Sequence, residues 1–531
     1  MKILMVAAEN DALPGAKVGG IADVVRDIPP ALAAAGQHLD VVIPGYQAFS
    51  LLPGAHHIGP VYVNFAGRME TVELYQVPAK PSLQPQAGVT QWVMEHPLFA
   101  AGGVGKIYCD DPAGRPFATD ASKFALFSAA VGTAMLNNCF GDIDVLHLHD
   151  WHAATLAVLR AFDPQYQQLK NIHTVYTIHN LALQGIRPLA DDHSSLLSWF
   201  PNLMFNHQPL SDPRFNNCFN PMRAGINLSD KVHAVSPAYA KEILLPSNPA
   251  QGYFGGEGLQ QDLQHAANDG RLQGILNGCE YPESSAEPLA LNELFLLCEN
   301  ELLKWIGQNP EVQSAHMIAI RRLAQMNAKY RNADGSTNKV KRPFIATSVG
   351  RITDQKVRLF EQMMPDGQTA LEQLLASLGD RGVFILLGSG DAQLEQYLTR
   401  VAAKSANFIF LKGYSEALSE NLYRSGDLFL MPSSFEPCGI SQMLSMRAGQ
   451  PCLVHSVGGL RDTVTDHENG FAFTGDTPEN QVSNMISCFE AALETKQNDS
   501  EKWAKIAANA AASRFLWSSV AKDYIDKLYQ R

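Results

Sequence analysis

The chain has 531 residues, 46% hydrophobic and 18% charged; that is too long for one ordinary core at roughly 100–200 residues per domain, and too apolar for a disordered chain. Lys and Arg number 41 against 53 Asp and Glu, a net charge of −12, which excludes the broad positive field of a nucleic-acid binder. No run of about 18 apolar residues reads as a membrane span, and eight cysteines, none closer than 14 residues to the next, exclude CxxC motifs and point to reduced thiols in a cytoplasmic protein.

In chain order, the opening segment MKILMVAAEN reads as a buried strand over 2–8 rather than a signal peptide. A helix follows over 21–35 and a strand over 40–43. Further strands are expected at 144–149, 174–178 and 231–235, with helices over 153–161 and from Pro237. Short apolar strands separated by helices predict a parallel sheet covered on both faces. From about 281 to 341 the pattern changes to helical segments over 289–306 and 312–330 and the polar run RNADGSTNKVK over 331–341. This reads as a domain junction with helical elaboration. Strands then resume at 344–349, 383–387, 408–411, 428–431 and 452–455, with a helical segment over 354–378. They predict a second Rossmann-like sheet. Residues 500–531 read as two helices.

The segment Pro432-Ser433-Ser434-Phe435-Glu436-Pro437-Cys438-Gly439-Ile440-Ser441 lies between a strand and a helix. Ligands of open α/β sheets bind outside the strand carboxyl ends. Glu436 there suits sugar hydroxyls and the amides of 438–441 suit phosphate, while a helix-capping role fits equally well. Arg351 and Lys356 follow the strand at 344–349 and suit a diphosphate, or form a solvated basic loop. Asp150 and His179 also end strands. The His147/His149/His152 cluster invites a metal, yet no matching ligand set accompanies it. An internal echo, VGGIADVV at 18–25 and VGGLRDTV at 457–464, opens a helix twice; it marks either two ligand loops or two similar helix starts. P-loop, GxGxxG and GxSxG motifs are missing.

Taken together these segments resemble the bacterial glycogen synthase and plant starch synthase family. The matching pieces are KVGGIADVV (17–25), HLHDWHA (147–153), TIHNLALQG (177–185), RAGINLSDKVHAVSPAYAKEI (223–243), GILNG (274–278), GRITDQK (350–356), LLGSGD (386–391) and the run from Gly413 to Gln442 containing FEPCG. The resemblance implies an α/β fold of the GT-B type, two Rossmann-like domains facing across a deep cleft. The domains would be 1–276 and 277–510, with helical elaboration at 285–340 and a C-terminal helix at 511–531 returning to the first domain. It implies a retaining transfer of glucose from ADP-glucose to the 4-OH at the non-reducing end of an α-1,4-glucan such as glycogen. No metal, cofactor, membrane or nucleic acid is implied. Carried over by residue, Glu436, Arg351, Lys356, His179 and Asp150 would be catalytic. Lys17, Gly19, Gly20, Asn277, Tyr414, Cys438, Gly439, Ile440 and Ser441 would bind the donor. The alternatives are a UDP-glucose or small-acceptor enzyme of the same fold, and a non-catalytic glucan binder. The chain departs from the family pattern at Val18, Ile21, Ser434 and His455, and in the run Cys279-Glu280-Tyr281-Pro282.

Overall fold

The computed structural model describes residues 1–83, 88–281, 287–309, 311–330 and 342–531. The polar run 331–341, and the parts of the junction at 282–286 and 310, lie outside the described residues. The chain divides into two units. The first holds 1–247, 255–278 and 516–531; the second holds 248–254 and 279–515. The sequence boundaries at 276/277 and 510/511 therefore move to 278/279 and 515/516, and 248–254 joins the second unit. There Phe254 packs on Phe435, ring centroids 5.0 Å apart.

In the first unit the strands are β1 (Lys2–Val6), β2 (His38–Pro44), β3 (His56–Phe65), β4 (Arg68–Val77), β5 (Val89–Glu95), β6 (Val145–His149), β7 (His173–Ile178), the two-residue pair β8 (Arg187–Pro188) and β9 (Cys218–Phe219), β10 (Lys231–Ala234) and β11 (Leu272–Gly274). Among the described residues the main sheet runs β11-β10-β7-β6-β1-β2-β5-β4-β3. It is parallel from β11 to β5, as the apolar runs predict. The far edge departs from that prediction: β3 pairs antiparallel with β4, and β4 with β5. The reason is legible in β3, where Val61, Val63 and Phe65 are buried and Tyr62 and Asn64 are exposed. Strict alternation makes a strand with one wet face, and Ala66-Gly67, at φ 51° and 76°, closes a two-residue hairpin turn.

In the second unit the strands are β12 (Phe344–Val349), β13 (Gly382–Gly388), β14 (Phe408–Lys412), β15 (Leu428–Met431), β16 (Cys452–His455) and β17 (Phe471–Phe473). The order β14-β13-β12-β15-β16-β17 is the Rossmann order 3-2-1-4-5-6. Both faces are covered. Val383, Ile385 and Leu387 of β13 pack with Leu294, Phe295, Leu302 and Leu323 on one side. Phe384 and Leu386 pack with Val357, Phe360, Leu374 and Leu398 on the other. The helices Leu291–Gln308 and Ser314–Tyr330 thus form a layer of this unit, rather than an elaboration between units. The single helical segment expected over 354–378 is two helices, Asp354–Glu361 and Ala370–Leu378. Pro365-Asp366-Gly367 interrupts them, and Thr369 and Glu372 cap the second reciprocally.

The last segment, helix Trp517–Tyr524 and the turn Ile525–Tyr529, belongs to the first unit. The Tyr529 hydroxyl lies 2.9 Å from His147 Nδ1, and the Leu528 carbonyl accepts from His173 at 2.7 Å.

Candidate active site

In the second unit the strand order reverses between β12 and β15, and a ligand crevice is expected at the carboxyl ends of those two strands. A hollow there is lined by Gly350, Arg351, Ile352, Lys356, Pro432 and Ser433. Lys356 Nζ pairs with Glu436 Oε2, and the Ser433 hydroxyl donates to the same oxygen at 3.0 Å. Glu436 is buried and Arg351 is exposed. The two loops that carry these residues are tied together. The Gln355 side chain donates to the Phe435 carbonyl at 2.8 Å, and the Ser434 amide to the Gln355 carbonyl at 2.9 Å. Behind them the Ile352 amide donates to Ser389 at 2.9 Å and the Asp391 amide to Ile352 at 2.8 Å. The LLGSGD loop therefore buttresses Arg351.

His455 stands where the family pattern has arginine. Burial pushes its imidazole down to about 4, and its Nδ1 lies 3.0 Å from the Ser433 carbonyl. As a neutral donor it holds the loop that aims Ser433 at Glu436. Cys438 is buried, and Gly439 and Ile440 lead into the seven-residue helix Ser441–Arg447. Tyr414 is 66% exposed just past β14.

In the first unit the strand order reverses between β1 and β6. Just beyond β1, buried Glu9 accepts from the Val18 and Gly19 amides at 2.6 and 2.7 Å, and from the Tyr108 hydroxyl at 2.5 Å. Sequence reasoning missed Glu9 and Tyr108. The strand-end rule applied to β1 would have found the first; Tyr108 has no local signal. The Gly19 amide, expected on a donor phosphate, is thus held by a carboxylate of its own chain. Lys17 lies 2.5 Å from Asp23, beside Arg26 and Lys80 on Asp11, both at 2.5 Å.

Just past β6, Asp150 takes φ 52°, a left-handed conformation that aspartate tolerates better than most residues. Its Oδ1 accepts from the His179 amide at 2.7 Å. Burial pushes its carboxyl up to about 8, against the pull of the His179 and Asn180 amides. His179 is buried, and desolvation holds its imidazole well below the usual range. His147 and His149 stack at 4.4 Å, sharing one face as the strand period predicts. Both nitrogens of His147 are committed, to Tyr529 and Thr177, and Nδ1 of His149 is committed to His179. Asn277 lies beyond β11, buried, with its Oδ1 unpartnered.

The echoed VGG loops have a common use. In the first, Glu9 receives the loop amides. In the second, the Gly459 amide donates to the Glu436 carbonyl at 3.0 Å. Gly458 sits at φ +44°, and a Cβ on it would fall 1.9 Å from that carbonyl oxygen. Each loop braces a glutamate at a strand end.

Two Rossmann-like units in one chain, each gathering its polar groups at the carboxyl ends of its strands, are the architecture of GT-B glycosyltransferases, and the chain's relatives are of that class. Residues 2–265 match the family model for the starch synthase catalytic domain, and 331–510 that for glycosyl transferases group 1. A glycogen synthase of Gloeobacter violaceus is 31% identical over 99% of this chain and 98% of its own length. One of Streptococcus uberis is 30% identical over 100% and 99%. The solved catalytic domain of starch synthase IV from Arabidopsis thaliana, bound to ADP and acarbose, superposes with a TM-score of 0.73 at 23% identity, covering 99% of this chain and 98% of that one. The chain belongs to the glycogen synthase family of glycosyltransferases. No helix among the described residues is long and apolar enough to cross a membrane.

Proposed function

We propose that the protein transfers glucose from ADP-glucose to the 4-OH at the non-reducing end of an α-1,4-glucan, with retention, in the cytoplasm. The observation that carries this is the Lys356–Glu436–Ser433 group at the switch point of a Rossmann-ordered unit, in a chain of this family. Glu436 accepts from glucose hydroxyls. Lys356 and Arg351 neutralise the charge that develops on the departing diphosphate, an electrostatic contribution of the kind worth ~3 kcal/mol per donor. The amides of Cys438–Ser441 meet phosphate and sugar, and Tyr414 lies against the adenine. Of the first unit's residues, Lys17 and Gly20 are assigned to the diphosphate, the Gly19 amide being taken by Glu9, and Asp150, His179 and Asn277 to the transferred glucose. The acceptor attacks the face that ADP leaves, and an oxygen of the leaving group takes its proton.

Purified protein incubated with glycogen and either ADP-glucose or UDP-glucose tests the reading through nucleotide release and glucose incorporation. Incorporation preferring ADP-glucose is expected. Preference for UDP-glucose overturns the donor, and turnover only on small acceptors overturns the glucan. Glucan binding without turnover on either donor overturns the activity.

A further inference from the structure

His149 and Asp150 are adjacent in sequence, and both reach across to one residue on the neighbouring strand. Asp150 holds the His179 backbone amide. His149 Nδ1 lies 2.9 Å from His179 Nε2, the rings stacked 5.2 Å apart and 26° from parallel. His149 is fully buried, and its other nitrogen, Nε2, has no hydrogen-bond partner.

Between two neutral imidazoles one nitrogen must donate and the other accept. If His179 donated, the proton of His149 would sit on Nε2, a buried N–H with nothing to receive it. Orphaned buried N–H groups are among the rarest features of folded proteins. If His149 donates from Nδ1, its Nε2 is a bare lone pair and no N–H is stranded. His179 Nε2 then accepts, which leaves the single His179 proton on Nδ1. Burial keeps both rings neutral, pushing His149 down to about 3 and His179 well below the usual range.

We propose that His149 is a positioning residue that locks His179 in the Nδ1–H tautomer, so that His179 serves the transferred sugar as a hydrogen-bond donor through Nδ1. The dipeptide 149–150 fixes His179 at two points, its amide and its ring, leaving neither tautomer nor ring orientation free. The role of His179 at the sugar rests on the proposed function; the tautomer assignment does not.

The test has two arms. Imidazole 15N shifts are recorded on the intact, histidine-labelled protein, with His179 assigned by its loss in His179→Gln. A protonated Nδ1 and bare Nε2 on His179 are expected; a proton on Nε2 overturns the proposal. In the second arm, His149→Phe keeps the ring and removes the donor. His149→Asn places an amide N–H where Nδ1 stood, and His149→Gln places it at the Nε2 position instead. Phe and Gln are expected to lower kcat about tenfold, the weight of one neutral hydrogen bond, with KM within about twofold, and Asn to recover most of the loss. Should the Phe variant fail to fold, the Gln and Asn pair decides. Equal kcat in Gln and Asn, or wild-type kcat in both Phe and Gln, overturns the positioning role. Wild-type kcat in His179→Ala overturns the functional reading of His179 while leaving the tautomer result standing.

Discussion

At the carboxyl ends of β6 and β7 the polar groups are buried and their uncharged forms favoured: burial pushes the Asp150 carboxyl up to about 8 and holds the stacked imidazoles of His147, His149 and His179 low. At those of the second unit a lysine meets a glutamate, with Lys356 keeping about a quarter of its side chain in solvent, and an arginine stands exposed. The contrast follows from what each surrounds. Beneath β6, β7 and β10 the C-terminal segment covers the histidines, and the cost of desolvation leaves them only their uncharged forms. The β12–β15 crevice remains open to solvent, where a charge is kept at little cost. The β6–β7 ends are therefore built to orient hydrogen bonds and the β12–β15 crevice to meet charge.

The largest expected difference is in acid. His147, His149, His152, His179 and His233 of the first unit are all held below the ordinary histidine value by burial, three of them at about 3 to 4. Their folded values lie below the unfolded one, so the stabilisation is complete above about pH 6.5 and lost as pH falls through the folded values. Each contributes up to roughly 1.4 kcal/mol per pH unit below about 6.5. Among the described residues the second unit has one such group, His455. Hydrogen exchange at pH 7 and pH 5 should show the first unit losing protection well before the second; equal loss in both would break the comparison. Asp150 runs the other way. Its folded value near 8 lies above the unfolded one, so stability falls as pH rises from about 4 to 8, and Asp150→Asn should remove that slope from melts recorded across this range.

Next in size is the charged site. Lys356→Ala and Glu436→Gln should lower the rate of transfer by roughly 100-fold or more while melting stays close to wild type. A matching collapse in melting temperature would mean that the pair is structural. Smaller is Gly458→Ala, which drives a methyl into the Glu436 carbonyl at a left-handed backbone position. A loss of about 1–3 kcal/mol is expected, with kcat falling alongside because Glu436 must shift. Smallest is Gly20→Ala. Nothing lies within 4 Å of the new methyl, and the position opens a helix, so melting should rise slightly, by at most about 1 kcal/mol. Retained activity would then limit the first VGG loop to bracing Glu9; lost activity would show that a ligand approaches it.

Much of this was legible in residue order. Apolar runs of four to seven residues located β1, β6, β7, β10 and β12 through β16, because buried parallel strands need continuous apolar stretches. Polar residues just past them, Asp150, His179, Arg351, Lys356 and Glu436, were legible because strand carboxyl ends are where such sheets meet ligands. The β3–β4 hairpin was less so, its alternation interrupted by a bulge between His57 and Gly59. The break at Pro365 was written in the sequence and overrun by the helical periodicity on either side.

The sequence by itself determined the two sheets, their order along the chain, and the chemical character of what stands at the strand ends, because each depends on the spacing of nearby residues. Only the tertiary structure decided which atom each of those groups meets. Tyr108 reaches Glu9 across 99 residues, Lys356 reaches Glu436 across 80, and Tyr529 reaches His147 across 382. Those pairings arise from packing distant segments until buried polar groups find partners, a requirement of the whole fold that no local pattern encodes.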